Sequence, residues 1–285
     1  MRHHRYRYAA FVAMCMGAVP ATWAELEPIT DTAMGNVTGQ AFMQVETIPA
    51  NHNAPDSTRM TLNMDVETRV NIDDVQVGQI DGGTDFSARH VALGHIARND
   101  GDQFNGVTYN AGDVVPFEAR QPYIELAEDN QGLLGFRMGF GQARGSVSSS
   151  TDSFSGNIGL QFEDNSGALH DAVLMDSNGA QTRKRATHIG ISPGDCTAGT
   201  NCAALTELRS VNVGEGSAGF TDGFFIGFQR EAMEWQKLGG SGAISVGEGV
   251  FINLPTNMTV DLENFVTSGV ERLQTHHKDM GTNLF

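Results

Sequence analysis

Residues 134–141 alternate strictly between two kinds of side chain. The apolar positions are Leu134, Phe136, Met138 and Phe140, and the intervening positions are Gly135, Arg137, Gly139 and Gly141. Because successive side chains of a β-strand point to opposite faces, this period of two predicts a half-buried strand. Residues 122–126 predict a preceding apolar strand, and residues 128–132 predict a polar turn. We therefore expect a β-hairpin at 122–145 to organise the chain.

Similar alternation recurs along the rest of the sequence. Residues 60–67 and 154–163 alternate apolar and polar side chains, and glycine-rich turns such as 81–83 separate such segments. With 34 glycines, 40% hydrophobic residues and only 18% charged residues, the composition favours a turn-rich β protein over a disordered one. The sequence predicts an all-β fold, mainly an antiparallel β-sandwich or jelly-roll-like domain, over residues 42–275.

An irregular β-solenoid is the alternative fold. A short pattern of a β-branched residue, a polar residue, valine and glycine begins at Val75, Val211 and Ile244. The unequal spacing argues against a repeat of fixed period, and strand ends before glycine turns resemble one another in any case. The glycines of the 134–141 strand would permit close approach of another subunit, or tight packing inside one sandwich.

Three segments have weaker patterns. Residues 164–206 lack regular alternation and predict a long surface loop, with a strand at 187–191. Residues 229–237 fit a short helix and, nearly as well, a strand. Residues 276–285 are polar and predict a loose tail.

The first 24 residues predict a secretory signal peptide. Three arginines precede an apolar run at 9–19, and Thr22 and Ala24 occupy the positions recognised before a cleavage site. The alternatives are a membrane anchor, for which the run is short, and lipid attachment at Cys15, which follows Met14 instead of a small residue. No later stretch predicts a transmembrane helix. We expect an exported protein in the periplasm, on the outer surface or outside the cell, with residues 25–41 as its N-terminal segment.

The chain beyond the signal is strongly acidic. Three of the 18 lysines and arginines lie in the first 24 residues and none of the 34 acidic residues do, which leaves a net charge of about −19 (15 − 34). A surface of this charge disfavours nucleic acid and anionic membranes as partners. It suits a salty exterior or divalent cations between carboxylates, and it equally suits solubility alone.

Two cysteines remain after the signal is removed. Cys196 and Cys202 flank a short polar loop, and an even pair in an exported chain predicts a disulfide. Closing so short a loop contributes about 2 kcal/mol by chain-entropy reasoning, so we expect the bond to stabilise the loop and not the whole fold. Zinc would require two further ligands nearby.

The segment that follows the signal resembles a known group of proteins. Residues 34–40 read Met-Gly-Asn-Val-Thr-Gly-Gln. A V-T-G-Q sequence behind a signal peptide is similar to the start of uncharacterised exported proteins of Gram-negative bacteria, some described as pilus-system or filament proteins. Residues 122–127, 135–141 and 251–255 are also similar to this group, while residues 32–34 depart from its acidic-leucine-serine run. The resemblance covers about a fifth of the chain and implies an envelope or surface role.

Candidate sites for chemistry are few. Calcium would suit two acidic loops, one with Asp100, Asp102 and Asn105, the other at 128–130. Neither loop matches a twelve-residue calcium loop, and acidic turns are usually only solvated, so the metal assignment stays open. His90 and His95 lie on opposite faces of one strand, which disfavours a shared metal. No G-x-S-x-G elbow or phosphate loop occurs, and nothing selects one carboxylate pair for glycoside hydrolysis.

These observations give three function hypotheses. The first is a non-enzymatic exported structural protein of the surface or of a filament, with itself or other envelope subunits as partners. The second is a secreted module that binds carbohydrate or calcium. The third is a hydrolase with a carboxylate pair. An unprotected apolar edge strand would favour the first hypothesis, an aromatic patch beside acidic turns the second, and facing carboxylates of raised pKa the third.

Overall fold

A computed structural model describes residues 42–214, 219–239 and 242–276. They belong to one compact unit, 41–285. The predicted signal peptide, the segment 25–41 and residues 277–285 of the predicted tail lie outside the described residues. The described chain is built mostly of strands in antiparallel sheets, which confirms the predicted all-β, sandwich-like fold.

Within the described ranges, the elements in chain order are twenty-three strands, a short 3₁₀ helix and one α-helix. The first part contains β1 (Met43–Ile48), β2 (Asp56–Leu62), β3 (Asp65–Thr68), β4 (Val70–Ile80), β5 (Gly83–Leu93), β6 (His95–Ile96), β7 (Asp102–Phe104), β8 (Val107–Tyr109), β9 (Val114–Val115), β10 (Phe117–Asp129) and β11 (Gly132–Ser153). The second part contains β12 (Gly156–Ile158), β13 (Gln161–Glu163), β14 (Leu169–Asp171), β15 (Val173–Met175), β16 (His188–Asp195), β17 (Thr200–Ala204), the 3₁₀ helix (Leu205–Glu207), β18 (Ser210–Val213), β19 (Phe225–Gln229), β20 (Met233–Gln236), β21 (Ala243–Val246), β22 (Gly249–Leu254), β23 (Thr259–Asp261) and α1 (Leu262–Ser268).

The predicted hairpin is the β10–β11 pair, which lies at the centre of the fold. In the first sheet the strand order is β1-β2-β10-β11-β19-β22-β12, and β3 pairs with the start of β10. The 22-residue strand β11 then continues into a second sheet, where its later half pairs with β18 on one side and with β5 on the other. Strand β5 in turn pairs with β4. One strand therefore belongs to both layers of the sandwich.

One terminal strand of each sheet, β1 and β4, lies on the same side of β11. Strand β10 pairs along β11 as far as Arg144, and β5 takes over on that side from Val147 onward. On the opposite side β19 is followed by β18, with a bridge from Ala143 to Thr221 between them. The series β11-β10-β2-β1 and β11-β5-β4 thus run outward in the same direction.

Asp85 of β5 connects the second sheet to β22 of the first sheet. Its carboxylate accepts hydrogen bonds from Val250 N at 3.0 Å and from Arg185 Nε at 2.8 Å.

The segment 164–206 is more ordered than the sequence predicts. It contains β14 to β17, and β15, β16 and β17 form a small antiparallel sheet, so the prediction of one long loop is wrong. The strand expected at 187–191 is present within β16. The predicted disulfide between Cys196 and Cys202 is confirmed and joins the β16–β17 connection to β17. Alternation is hidden here because the strands are short and adjacent residues are buried together, as are Leu174 and Met175 in β15.

Two further differences concern helices. Residues 229–237 hold the end of β19 and all of β20, so the strand alternative is correct. The sequence reading also missed α1, which begins after Asp261, whose side chain accepts a hydrogen bond from Asn264 N at 2.7 Å as an N-cap. In the described ranges, no helix has the length and apolar character needed to cross a membrane.

The buried His95 generates a prediction about acid stability. Its imidazole Nδ1 lies 2.9 Å from Ser146 Oγ, and its ring packs against Phe104. Burial lowers the pKa of His95 from 6.5 to about 4, while Asp102 opposes and Arg98 adds to this shift. The unfolded chain therefore binds a proton at higher pH than the folded chain does, and folding stability falls as pH drops from 6.5 to 4.

We expect this residue to contribute up to about 2 kcal/mol of the acid-induced loss of stability. The variant His95→Gln cannot titrate, so its free energy of unfolding should vary less between pH 7 and pH 4 in denaturant titrations. The exposed His52→Gln serves as control and should follow the wild type. An unchanged pH slope in His95→Gln would contradict the assignment.

Candidate functional site

The two faces of the β10–β11 hairpin have the opposite exposure to that suggested by their residue types. Glu125 pairs with Arg137 across the hairpin, and Tyr123 pairs with Gly139, so these residues share one face. The side chains of Glu125 and Arg137 are each only 1% exposed. Met138, from the apolar set, is 42% exposed. The period of two is correct, but the face with glycine and charge is the more deeply buried one.

A polar cluster, defined as Ser57, Arg59, Glu125 and Arg137, joins strands β2, β10 and β11. The Glu125 Oε2 atom accepts hydrogen bonds from Arg59 Nε at 2.8 Å and from Arg137 Nη2 at 2.8 Å, and Oε1 accepts one from Ser57 Oγ at 2.8 Å. Burial opposes ionisation of Glu125, but the two guanidinium groups outweigh it and hold the pKa of Glu125 below its ordinary value. The carboxylate is therefore an ionised structural acceptor and not a proton donor.

A second layer covers the polar cluster. The β20–β21 hairpin places Trp235 over Arg137, with the guanidinium carbon 4.8 Å from the ring centroid. Phe225 lies on the same guanidinium at 5.1 Å. Gly139 permits this close packing, since a β-carbon there would lie 2.7 Å from the β-carbon of Phe225. The glycine face thus serves packing within the sandwich, which is one of the two alternatives left open by the sequence.

The opposite face of the first sheet borders a large apolar cleft between the two sheets. The first sheet contributes Met60, Ile124, Met138, Ile226 and Ile252. The second sheet contributes Ile72, Phe86, Val91, Val147 and Val211. The cleft has a volume of about 680 Å³, within the range of ligand-binding sites in proteins. Its lining is almost wholly apolar, so it suits an apolar occupant.

The mouth of the apolar cleft is lined by exposed side chains of both sheets. Met60, Ile72, Ile124 and Met138 line it and are 39–43% exposed. The apolar surface continues beyond the cleft onto β1, because Val45 pairs with Met60 and so shares its face. Val45 is 60% exposed. A continuous apolar strip therefore runs from the interior of the sandwich to its outermost strand.

Among the described residues, β1 pairs only with β2 and β4 pairs only with β5. The two edges differ in charge. Strand β4 carries the exposed Asp73 and Asp74 at its middle, and charges of this kind discourage edge pairing. Strand β1 exposes Met43 and Val45 instead. The less protected edge therefore belongs to β1.

In the two acidic loops proposed for calcium, carboxylate groups accept hydrogen bonds from other groups of the protein. Asp102 accepts bonds from the backbone N–H groups of Arg98 and Asn99, which lowers its pKa. Asp129 accepts a bond from Gln131 N and pairs with Arg230 at 2.7 Å. Within the described part of the chain, no three His, Cys, Asp or Glu side chains are grouped closely enough to hold a metal.

The other candidate residues are also apart. His95 is buried against Phe104, whereas His90 is exposed on β5. No carboxylate among the described residues has a resolved increase in pKa, and the pKa of the most buried glutamate, Glu125, is lowered. Sequence reasoning missed both the polar cluster and the apolar cleft. The only local signal of the polar cluster was an arginine among glycines on an otherwise small-residue face.

The polar cluster generates a prediction about stability. Glu125→Gln removes the carboxylate that two buried guanidinium groups share, and we expect a loss of about 3 kcal/mol in the free energy of unfolding. Glu46 also pairs with Arg59, at 3.1 Å, but is 40% exposed. Glu46→Gln is therefore the matched control, with an expected loss below about 1 kcal/mol. Chemical denaturation measures both, and equal losses in the two variants would contradict a special role of the buried Glu125.

Comparison with known proteins gives no relative for this architecture. No family model matches the chain, and neither a curated protein nor a solved structure matches it. The candidate site consists of the apolar cleft on one face of the first sheet, the edge of β1, which has no strand partner besides β2 among the described residues, and the polar cluster on the other face.

Proposed function

We propose that this protein is a non-enzymatic, exported structural component of the cell envelope that associates with further copies of itself through the β1 edge and the mouth of the apolar cleft. One observation carries the proposal: the apolar lining of the cleft continues onto an exposed edge strand. Unpaired N–H and C=O groups on such an edge are a template for a strand of another chain. This is the feature expected of the structural hypothesis.

The position of the apolar strip favours a protein partner over a small ligand alone. A small apolar molecule would be held inside the cleft and would leave Met43 and Val45 exposed on β1. A second copy would cover these side chains and pair the backbone edge at the same time. Pairing of β1 with β1 of a second copy about a two-fold axis uses one surface on both partners, as most dimers do.

The N-terminal sequence and the disulfide support a role outside the cytoplasm, and neither selects a partner. The export signal expected from residues 1–24 and the confirmed disulfide both suit an oxidising compartment. Charge repulsion between copies would make association stronger at higher salt, because counterions screen the acidic surfaces. This salt dependence separates edge pairing from association driven by opposite charges.

The test places a charge on the β1 edge. Val45→Glu puts a carboxylate on the apolar strip, and Gln44→Glu adds the same charge one residue away on the other face of β1. We expect concentration-dependent dimers of the wild type by light scattering, and an apparent dissociation constant raised about tenfold or more in Val45→Glu only. A monomeric wild type at all concentrations, or equal effects of both variants, would sink the proposal.

The volume and lining of the apolar cleft favour a second candidate function, binding of a long-chain apolar ligand. Native mass spectrometry of protein recovered after export should then show a bound lipid-sized mass. Met138→Trp fills the cleft and should remove this mass, whereas Val107→Trp, which is exposed on β8, should not. Absence of any added mass in the wild type would argue against this candidate and leave self-association untouched.

A further inference from the structure

A second cavity lies on the other side of the first sheet, beside the polar cluster. It has a volume of about 440 Å³. The first sheet contributes Arg137 and Asn253, the β20–β21 hairpin contributes Lys237 and Ser245, and Arg183 and Asn157 complete a predominantly polar lining. We call it the basic cavity. It is independent of the proposed self-association, which uses the opposite face of the sheet.

The charge of the basic cavity contrasts with that of the whole chain. The protein has a formal net charge of −16 and only three lysines, at 184, 237 and 278. One of them, Lys237, lines this cavity together with two arginines, and Asp222 is the single acidic residue of the lining. Arg183 and Lys237 outnumber Asp222, and Arg137 is only partly neutralised by Glu125, so the charge of the lining favours an anion. Arg183 belongs to the only Arg-Lys-Arg run of the sequence.

The buried guanidinium of Arg137 has unused hydrogen-bonding capacity. Its Nε and Nη2 atoms donate to Glu125, and Nη2 also donates to the carbonyl oxygen of Gln236 at 2.6 Å. The remaining terminal nitrogen, Nη1, makes no hydrogen bond to the described residues. The carboxylate that balances Arg137 is shared with Arg59, so it neutralises each guanidinium only in part. Tyr123, which also lines the cavity, has a buried hydroxyl with no hydrogen-bond partner in the described structure.

The remaining lining groups suit a ligand with hydroxyl groups. The amides of Asn157 and Asn253 and the hydroxyls of Thr221 and Ser245 both donate and accept hydrogen bonds. Phe251 and Ile244 add apolar surface that can contact the carbon face of a ring. Arginine binds carboxylates preferentially because its planar fork matches their geometry. We propose that the basic cavity binds an acidic sugar, with the carboxylate directed to Arg137, Arg183 and Lys237.

The test uses galacturonic acid as probe and galactose as its neutral counterpart, measured by calorimetry with the full exported protein. Galacturonate should bind and galactose should not, and rising salt should weaken binding. Arg183→Gln and Lys237→Gln remove exposed cations of the lining, so their folding should be unaffected. Each should weaken binding about tenfold, the loss expected for one charge-assisted hydrogen bond. Lys184→Gln, which removes the neighbouring charge outside this cavity, should bind like the wild type.

Every other outcome overturns the proposal in a defined way. No heat with galacturonate, or equal binding of galactose, excludes an acidic-sugar site. Sulfate that competes as strongly as galacturonate would reduce the cavity to a general anion site. Equal losses in Lys184→Gln and Lys237→Gln would show that only the overall charge matters.

The variant Arg137→Lys keeps the charge but loses the planar guanidinium, and its folding is checked by its thermal transition. It should weaken the binding of galacturonate more than the binding of sulfate.

Discussion

The shared carboxylate of Glu125 is the interaction on which the centre of this fold depends. It joins Arg59 of β2 and Arg137 of β11 across β10, so one anion fixes the relative register of three strands. A shift of any one strand by one residue would turn its charged side chain to the apolar face, where nothing could neutralise it. The polar cluster thereby also determines which face of the first sheet carries the β20–β21 hairpin and which face borders the apolar cleft.

The division into two faces gives each side of the sheet a separate role. On one side, Trp235 and Phe225 enclose the guanidinium of Arg137, and the basic cavity opens beside them. On the other side, the layers separate and leave apolar side chains such as Met138 exposed. A protein optimised only for stability would fill this space, because buried apolar area is the main favourable term in folding. The open cleft therefore accords with the occupant proposed above, a second copy of the chain or an apolar ligand.

The strands were largely predictable because alternation is a local property of the sequence. The all-β class, the central hairpin and the Cys196–Cys202 bond all follow from residues close together in the chain. The burial of each face was not predictable in the same way. Arg137 is covered by Trp235, about a hundred residues later, and its partner Glu125 is shared with Arg59, far earlier in the chain. The apolar cleft is equally non-local, since Met60, Ile124 and Met138 have the residue types of ordinary core positions and only their lack of a packed partner layer sets them apart.

The passage of β11 through both sheets has a mechanical consequence. The two layers are joined by β11, and the hydrogen bond from Val250 N of β22 to Asp85 of β5 holds them together at a second place. Separating the layers at β11 would break backbone hydrogen bonds along that strand, whereas β1 and β2 can move away from the second sheet by a small change in strand twist. An occupant of the apolar cleft would therefore change the angle between the two layers most on the side of β1 and β2.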